Sequence, residues 1–263
     1  MRKIKAAFFD IDGTLVSLKT KVCPESAKQA LAALRKAGVL CFVATGRSRF
    51  EIASEHLLDG LEFDGYLTDN GQDAYSADGT LLYAKSIPYA DAAAILDWAE
   101  RTGCACWVVG AEQSVLSHLD ARTEEALAAI HTRPPRLAPV RPMLELPIYK
   151  IVLFQRRERV QEIETLAPSC VITEWYPLGQ DVISKEGGKR RAMLGVLKQY
   201  GILPEECIAF GDSENDNEML QAAGIGVAMG NAAPDTKAAA DYITDDCDDD
   251  GLVNALKHFG VLQ

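Results

Sequence analysis

Asp10 and Asp12 stand two residues apart where an apolar run ends, inside Asp10-Ile11-Asp12-Gly13-Thr14. On an extended segment that spacing turns both carboxylates the same way. A second acidic group, Gly211-Asp212-Ser213-Glu214-Asn215-Asp216, closes another apolar run. Up to four carboxylates around one crevice are unstable unless a cation sits among their oxygens. Hard oxygen donors without clustered His or Cys indicate Mg²⁺. Lys189, after Gly187-Gly188, adds a compact positive charge, and Thr45-Gly46-Arg47 adds a hydroxyl and a turn N–H. These parts together suit a tetrahedral anion, and phosphoryl transfer is the economical inference.

Each part alone has a plainer reading. An Asp-Gly after a strand is usually a turn. A lysine opening a helix is usually a solvated charge, and the 212–216 run alone would serve as a helix N-cap. Their joint placement decides the matter, because all four groups stand where the pattern puts the end of a strand or the start of the following helix. In a doubly wound sheet that is where a ligand binds.

The elements behind them follow from periodicity. Ile4–Ile11, Val39–Ala44, Cys207–Phe210 and Ile225–Ala228 read as buried strands, and Gly65–Thr68 as a short one. Helices are expected over Pro24–Ala37, from the Thr45-Gly46-Arg47 turn to about Leu58, and over Lys189–Tyr200, Asn215–Ala223, Pro234–Ala240 and Gly251–Phe259. A hairpin over Gln72–Ala84 turns at Asp78-Gly79. Alternating β and α with apolar strands argues an α/β, doubly wound parallel sheet covered on both faces. The middle of the chain changes character. Helices at Tyr89–Arg101, Thr123–His131 and Glu158–Leu166 mix with strands at Ala105–Val109, Tyr149–Phe154, Val171–Trp175 and Asp181–Ser184. The expected organisation is a discontinuous core, 1–84 and 185–263, with an α+β domain inserted at 85–184.

Composition excludes other classes. The 263 residues are 48% hydrophobic and 25% charged, which is no disordered or repetitive chain. A formal net charge of -11 repels phosphate backbones, so nucleic acid is not expected as a partner. No apolar run is long enough to span a membrane, and the apolar stretch before Asp10 is too short for a signal peptide. The seven cysteines include no C-x-x-C pair and read as buried reduced thiols. His56, His118, His131 and His258 make no zinc pattern. The expected setting is cytoplasmic.

The chain resembles the haloacid dehalogenase (HAD) superfamily of phosphohydrolases. Asp10-Ile-Asp-Gly-Thr14 is similar to its first motif, Ala44-Thr-Gly-Arg47 to its second, Lys189 to its third and Gly211-Asp-Ser-Glu-Asn-Asp216 to its fourth. Thr68-Asp-Asn-Gly71, Gly226-Val-Ala-Met-Gly-Asn-Ala232 and Asp249-Asp-Gly251 resemble the Cof-type branch, and the insert its type IIB cap. By resemblance, Asp10 is the nucleophile that forms an aspartyl-phosphate, and Asp12 is the general acid and base. Mg²⁺ is held by Asp10, by the backbone carbonyl of Asp12 and by Asp212. Thr45, Gly46 and Lys189 bind the phosphoryl group. Asn215 and Asp216 orient the metal shell and Lys189, with Ser213 and Arg47 in support, Arg47 facing substrate or cap. A small phosphorylated metabolite is implied, sugar phosphates first, with pyridoxal phosphate or a flavin-pathway phosphate behind. Hexose phosphomutases of this superfamily share the cap type, so a mutase is the second enzyme class. A signalling receiver also uses Asp, Thr, Lys and Mg²⁺, but it would be about half this length and lack the D-x-D pair.

Two patterns are decoys. Asp246, Asp248, Asp250 and Gly251 mimic half of a calcium loop whose twelfth position is Lys257 instead of Glu. Lys185 lies near Lys189 but does not open the helix.

Overall fold

The computed structural model describes residues 3–130 and 132–262. Met1 and His131, at which the sequence reading begins the chain and ends a helix, lie outside the described residues. The chain divides into two compact units, Met1–Ala84 with Gly188–Gln263, and Lys85–Gly187.

The first unit opens with β1 (Ala6–Phe9), α1 (Glu25–Lys36), β2 (Leu40–Ala44), α2 (Arg49–Glu55) and β3 (Gly65–Thr68). A hairpin of β4 (Asp73–Ser76) and β5 (Leu81–Ala84) follows. In α1, Ala27, Ala30, Leu31 and Leu34 are buried at helical spacing, while Glu25 and the Arg35-Lys36 pair complement the dipole at its two ends.

The second unit holds α3 (Tyr89–Thr102), β6 (Cys106–Gly110), β7 (Ser114–Leu116), α4 (Ala121–Ala129) and β8 (Arg136–Leu137). It continues with β9 (Ile148–Leu153), α5 (Val160–Leu166), β10 (Cys170–Tyr176) and β11 (Gly179–Ser184). Its six strands run in the order β10-β11-β9-β6-β7-β8. Every pairing is antiparallel except β7 with β8. The unit has its own core, in which Ile95, Leu96 and Trp98 of α3 lie with Cys106, Val108, Ile151 and Leu153. Trp107 is buried as well, and Trp175 is half-buried with its Nε1 donating to Asp181 Oδ1 at 2.9 Å. Lys185 belongs here, its N–H bonded to Ser169 O and its Nζ to Pro168 O.

The first unit resumes with α6 (Lys189–Tyr200), β12 (Cys207–Gly211), α7 (Asn217–Ala222), β13 (Ile225–Ala228), α8 (Pro234–Ala239), β14 (Tyr242–Ile243) and α9 (Gly251–His258). Its sheet order is β14-β13-β12-β1-β2-β3-β4-β5. Strands from β14 to β3 pair in parallel, and the hairpin adds two antiparallel strands at the far edge. The sheet is therefore mixed, not purely parallel.

β1 lies in the middle, between β12 and β2. Its alternation explains the two layers of helices. Ala6 and Phe8 join Ala192, Met193 and Val196 of α6 on one face. Ala7 and Phe9 join Leu31 and Leu34 of α1 and Leu252 of α9 on the other. Phe8 stacks on Phe42 and Phe9 on Phe210, at centroid distances of 4.9 and 5.2 Å. Full burial of each ring contributes about 1.5–3 kcal/mol, which fixes the strand from which Asp10 emerges.

No helix among the described residues is long and apolar enough to cross a membrane. All seven cysteines are buried and free.

Candidate active site

Asp10 directly follows β1, its N–H bonded to Phe210 O, and Asp212 directly follows the neighbouring β12. The chain folds tightly between Asp12 and Val16, with Gly13 N donating to Val16 O. Gly13 takes φ +84°, and a Cβ there would meet Asp212 Oδ2 at 2.3 Å. Only glycine lets these two loops approach so closely.

Lys189 joins three of the four sequence groups. Its Nζ donates to Asp10 Oδ1 and to Asp216 Oδ1, both at 2.7 Å, with its side chain fully buried. The first residue of a helix is a poor place for a cation, because the macrodipole is positive there. Burial also works against the ammonium, yet Asp10 and Asp216 outweigh it and hold Lys189 charged well above the usual lysine range. Asp216 Oδ2 in turn accepts from the backbone N–H groups of Asp212 and Ser213, each at 3.1 Å. The Ser213 side chain is exposed.

The carboxylates are not neutralised by this lysine. Burial first, and then Asp216, pushes the Asp212 carboxyl up to about 7. Burial also raises Asp10, helped by Asp216, Asp212 and Asp12 and opposed by Lys189. Ligand oxygens of Asp10, Asp212 and Asp216 lie within 4.8 Å of one another. Asp212 Oδ1 is buried without a hydrogen-bond partner. Fully ionised, three carboxylates around one ammonium would carry two uncompensated negative charges, and with the orphaned oxygen they form a donor set that fits a hard divalent cation.

Asp12 has other company. Arg47 donates Nε to its Oδ2 at 2.7 Å and Nη2 to its Oδ1 at 2.9 Å, and Arg47 Nη1 reaches Glu55 at 2.7 Å. The arginine expected to face substrate or cap thus holds a carboxylate of its own unit. Thr45 is buried, and its Oγ1 accepts from Arg47 N–H at 3.1 Å. Asn215 does not reach Lys189 but donates Nδ2 to Asn70 Oδ1 at 2.8 Å.

Two asparagines escaped the sequence reading of roles, although both lie in motifs it quoted. Asn70 is one. Asn231 is the other, donating Nδ2 to Gly13 O at 2.8 Å and accepting from Cys247 N–H at 3.0 Å. Their only sequence signal is an Asn beside a Gly, which usually marks a turn. The calcium-like run is a short helical turn at Cys247–Asp249, with Lys19 Nζ 2.9 Å from Asp248.

The description of haloacid dehalogenase-like hydrolases fits residues 7–256 as one continuous match. The chain belongs to this family. Relatives of this HAD chain include a putative bifunctional phosphatase/peptidyl-prolyl cis-trans isomerase of Streptococcus pyogenes, 30% identical over 264 residues. That alignment covers 99% of this chain but 55% of the longer streptococcal protein, so the chain spans about half of that relative. An HMP-PP phosphatase of Escherichia coli is 29% identical over 255 residues, 91% of this chain and 89% of that one. Among solved structures, a HAD subclass IIB sugar phosphatase superposes with TM-score 0.84 at 34% identity, covering 98% of this chain and 100% of that one. The protein is thus a Cof-type HAD phosphohydrolase with an α/β fold.

Proposed function

We propose that this protein is a Mg²⁺-dependent phosphatase of small phosphorylated metabolites, sugar phosphates foremost, working through an aspartyl-phosphate on Asp10. The observation that carries the reading is the Asp10–Lys189–Asp216 bridge beside an Asp212 oxygen with no partner. Asp10, the backbone carbonyl of Asp12 and Asp212 would hold Mg²⁺, which when bound supplies positive charge against the phosphoryl oxygens.

The chain's own residues then divide the work. Lys189, the Thr45 hydroxyl and the Gly46 N–H hold the phosphoryl oxygens. A carboxylate oxygen of Asp10 forms the bond to phosphorus as the ester oxygen leaves, and Asp12 donates the proton that the leaving oxygen takes up. Asp12 next removes a proton from water, the water oxygen attacks phosphorus, and the bond to Asp10 breaks with release of phosphate. Splitting the hydrolysis in this way replaces one slow displacement by two easier ones. Asp216 holds Lys189 and the Asp212–Ser213 backbone in place, and Arg47 orients Asp12 as a carboxylate, giving up one of its two bonds when Asp12 carries the proton.

Lys85–Gly187 would serve as the type IIB cap. The sugar-phosphate preference draws on the subclass IIB sugar phosphatase among the structural relatives. The relative named an HMP-PP phosphatase makes HMP-PP the second substrate to assay. Seven free buried thiols suit a reducing compartment such as the cytoplasm.

The test is phosphate release from p-nitrophenyl phosphate, with and without Mg²⁺, by the native chain and Asp10→Asn, followed by a panel of sugar phosphates and HMP-PP. Metal-dependent turnover that disappears in the variant is expected. Turnover that survives in Asp10→Asn would remove the nucleophile assignment.

A further inference from the structure

The loop after β3 runs through three consecutive residues with positive φ: Asp69 at 51°, Asn70 at 59° and Gly71 at 75°. Two of the three are not glycine, and a non-glycine residue in that region costs roughly 1 kcal/mol or more. Such a conformation persists only where the surroundings over-determine it, and here they do so from three sides.

On the first side is the turn that carries Thr45 and Gly46. Asn70 N–H donates to Thr45 O at 2.9 Å, Asp69 N–H to Arg47 O at 3.0 Å, and Thr45 N–H to Leu67 O at 2.9 Å. Asn70 Oδ1 lies 2.9 Å from where a Cβ on Gly46 would stand, so the amide packs directly against that glycine. On the second side is the start of α6. Gly188 N–H reaches Gly71 O at 3.3 Å, and a Cβ on Gly71 would meet Lys189 N at 2.6 Å. On the third side is the loop after β12, where Asn215 Nδ2 donates to Asn70 Oδ1 at 2.8 Å. Asn215 precedes Asp216, the residue that anchors both Lys189 and the Asp212 backbone.

We infer that Asn70 and Asn215 are a coupled pair of positioning residues. Their amide bridge sets the Thr45–Gly46 turn at a fixed distance from the Asp212–Asp216 loop. Neither asparagine need touch substrate. The bridge ties the side of the site that would grip the phosphoryl group to the side that would hold the cation, and it deepens the phosphatase reading on which it rests. Reacting atoms must be held to fractions of an ångström, and a misplacement of about 1 Å costs up to about a hundredfold in rate.

The geometry also selects the test. Asn215 is exposed, so Asn215→Ala removes the donor with little effect on packing. At position 70 the suitable change is Asn70→Gly, because glycine adopts the positive φ without strain. The full chain with Mg²⁺ and p-nitrophenyl phosphate is assayed as native protein, Asp10→Asn, each single variant and the double variant, with melting temperatures alongside. Each single variant is expected to lose about tenfold or more in kcat, with KM within about twofold and melting little changed. The double variant is expected to be no worse than the poorer single one, the signature of one shared interaction. Native turnover abolished in Asp10→Asn but intact in Asn215→Ala would overturn the pair and leave the phosphatase standing. Losses that multiply in the double variant would also overturn the coupling. A native chain with no turnover on any phosphate ester would overturn both.

Discussion

Arg47 grips both carboxylate oxygens of Asp12, Nε 2.7 Å from Oδ2 and Nη2 2.9 Å from Oδ1. This fork-to-fork arrangement fixes the plane of the carboxyl group as well as its position. Glu55, on the far side of the guanidinium at 2.7 Å, keeps the arginine from swinging away.

Arg47→Lys should therefore be costly although the charge is kept. A lysine ammonium presents a point charge without the planar pair of donors. With Asp12 as acid and base, kcat should fall about tenfold or more, while melting shifts by a few degrees at most. Steady-state kinetics of the purified variant check this, and an unchanged kcat would separate Asp12's orientation from its chemistry.

Lys189 is a matter of stability as much as of activity. Its side chain and that of Asp216 are fully buried, and that of Asp10 nearly so. Lys189→Met removes the one cation that, among the described residues, bonds to Asp10 and Asp216, and leaves buried charge uncompensated, a loss of about 3–5 kcal/mol. Urea unfolding in the absence of divalent metal is the measurement. A midpoint equal to the native one would mean that the carboxylates take up protons at no cost.

The thiols forecast an alkaline weakness. Burial pushes Cys41, Cys106, Cys170 and Cys247 up to about 12, and Cys23, Cys104 and Cys207 up to about 11. An unfolded cysteine titrates near 8.5. Above that pH the unfolded chain binds fewer protons than the folded one, so stability is complete below about 8.5 and falls as pH rises towards the folded values. By pH 9.5 the loss is on the order of 1 kcal/mol from each of the most deeply buried thiols, such as Cys41 and Cys106. Urea midpoints at pH 7.5 and 9.5 test the slope. A thiol reagent at pH 8 should label the native chain slowly at all seven positions.

The site was legible in the sequence to the extent that its strands were. Phe8-Phe9, Phe42-Val43 and Ala209-Phe210 are buried on both faces of the sheet, so their runs are continuously apolar and their ends stand out. Lys189 was recognisable because it opens a helix after two glycines. The strands at Ser114–Leu116, Arg136–Leu137 and Tyr242–Ile243 were missed, being two or three residues long and too short for any alternation to register. The antiparallel hairpin was anticipated, but its attachment to the edge of the main sheet depends on pairing with β3, which no local pattern encodes. Arg47's choice of Asp12 and Asn215's choice of Asn70 span 35 and 145 residues, and composition says nothing about such partners.

The central position of β1 has a consequence for the order in which the protein can be made. Its parallel neighbour β12 lies about two hundred residues later in the chain, and the lysine that meets Asp10 lies 179 residues later. At about 5–20 residues per second, a ribosome would hold the first strand for ten seconds or more before that partner appears. The insert, whose six strands all come from Cys106–Ser184, can close its own sheet during that wait. A released chain that ends at residue 187 should therefore resist protease over the second unit while the segment before it remains open to digestion.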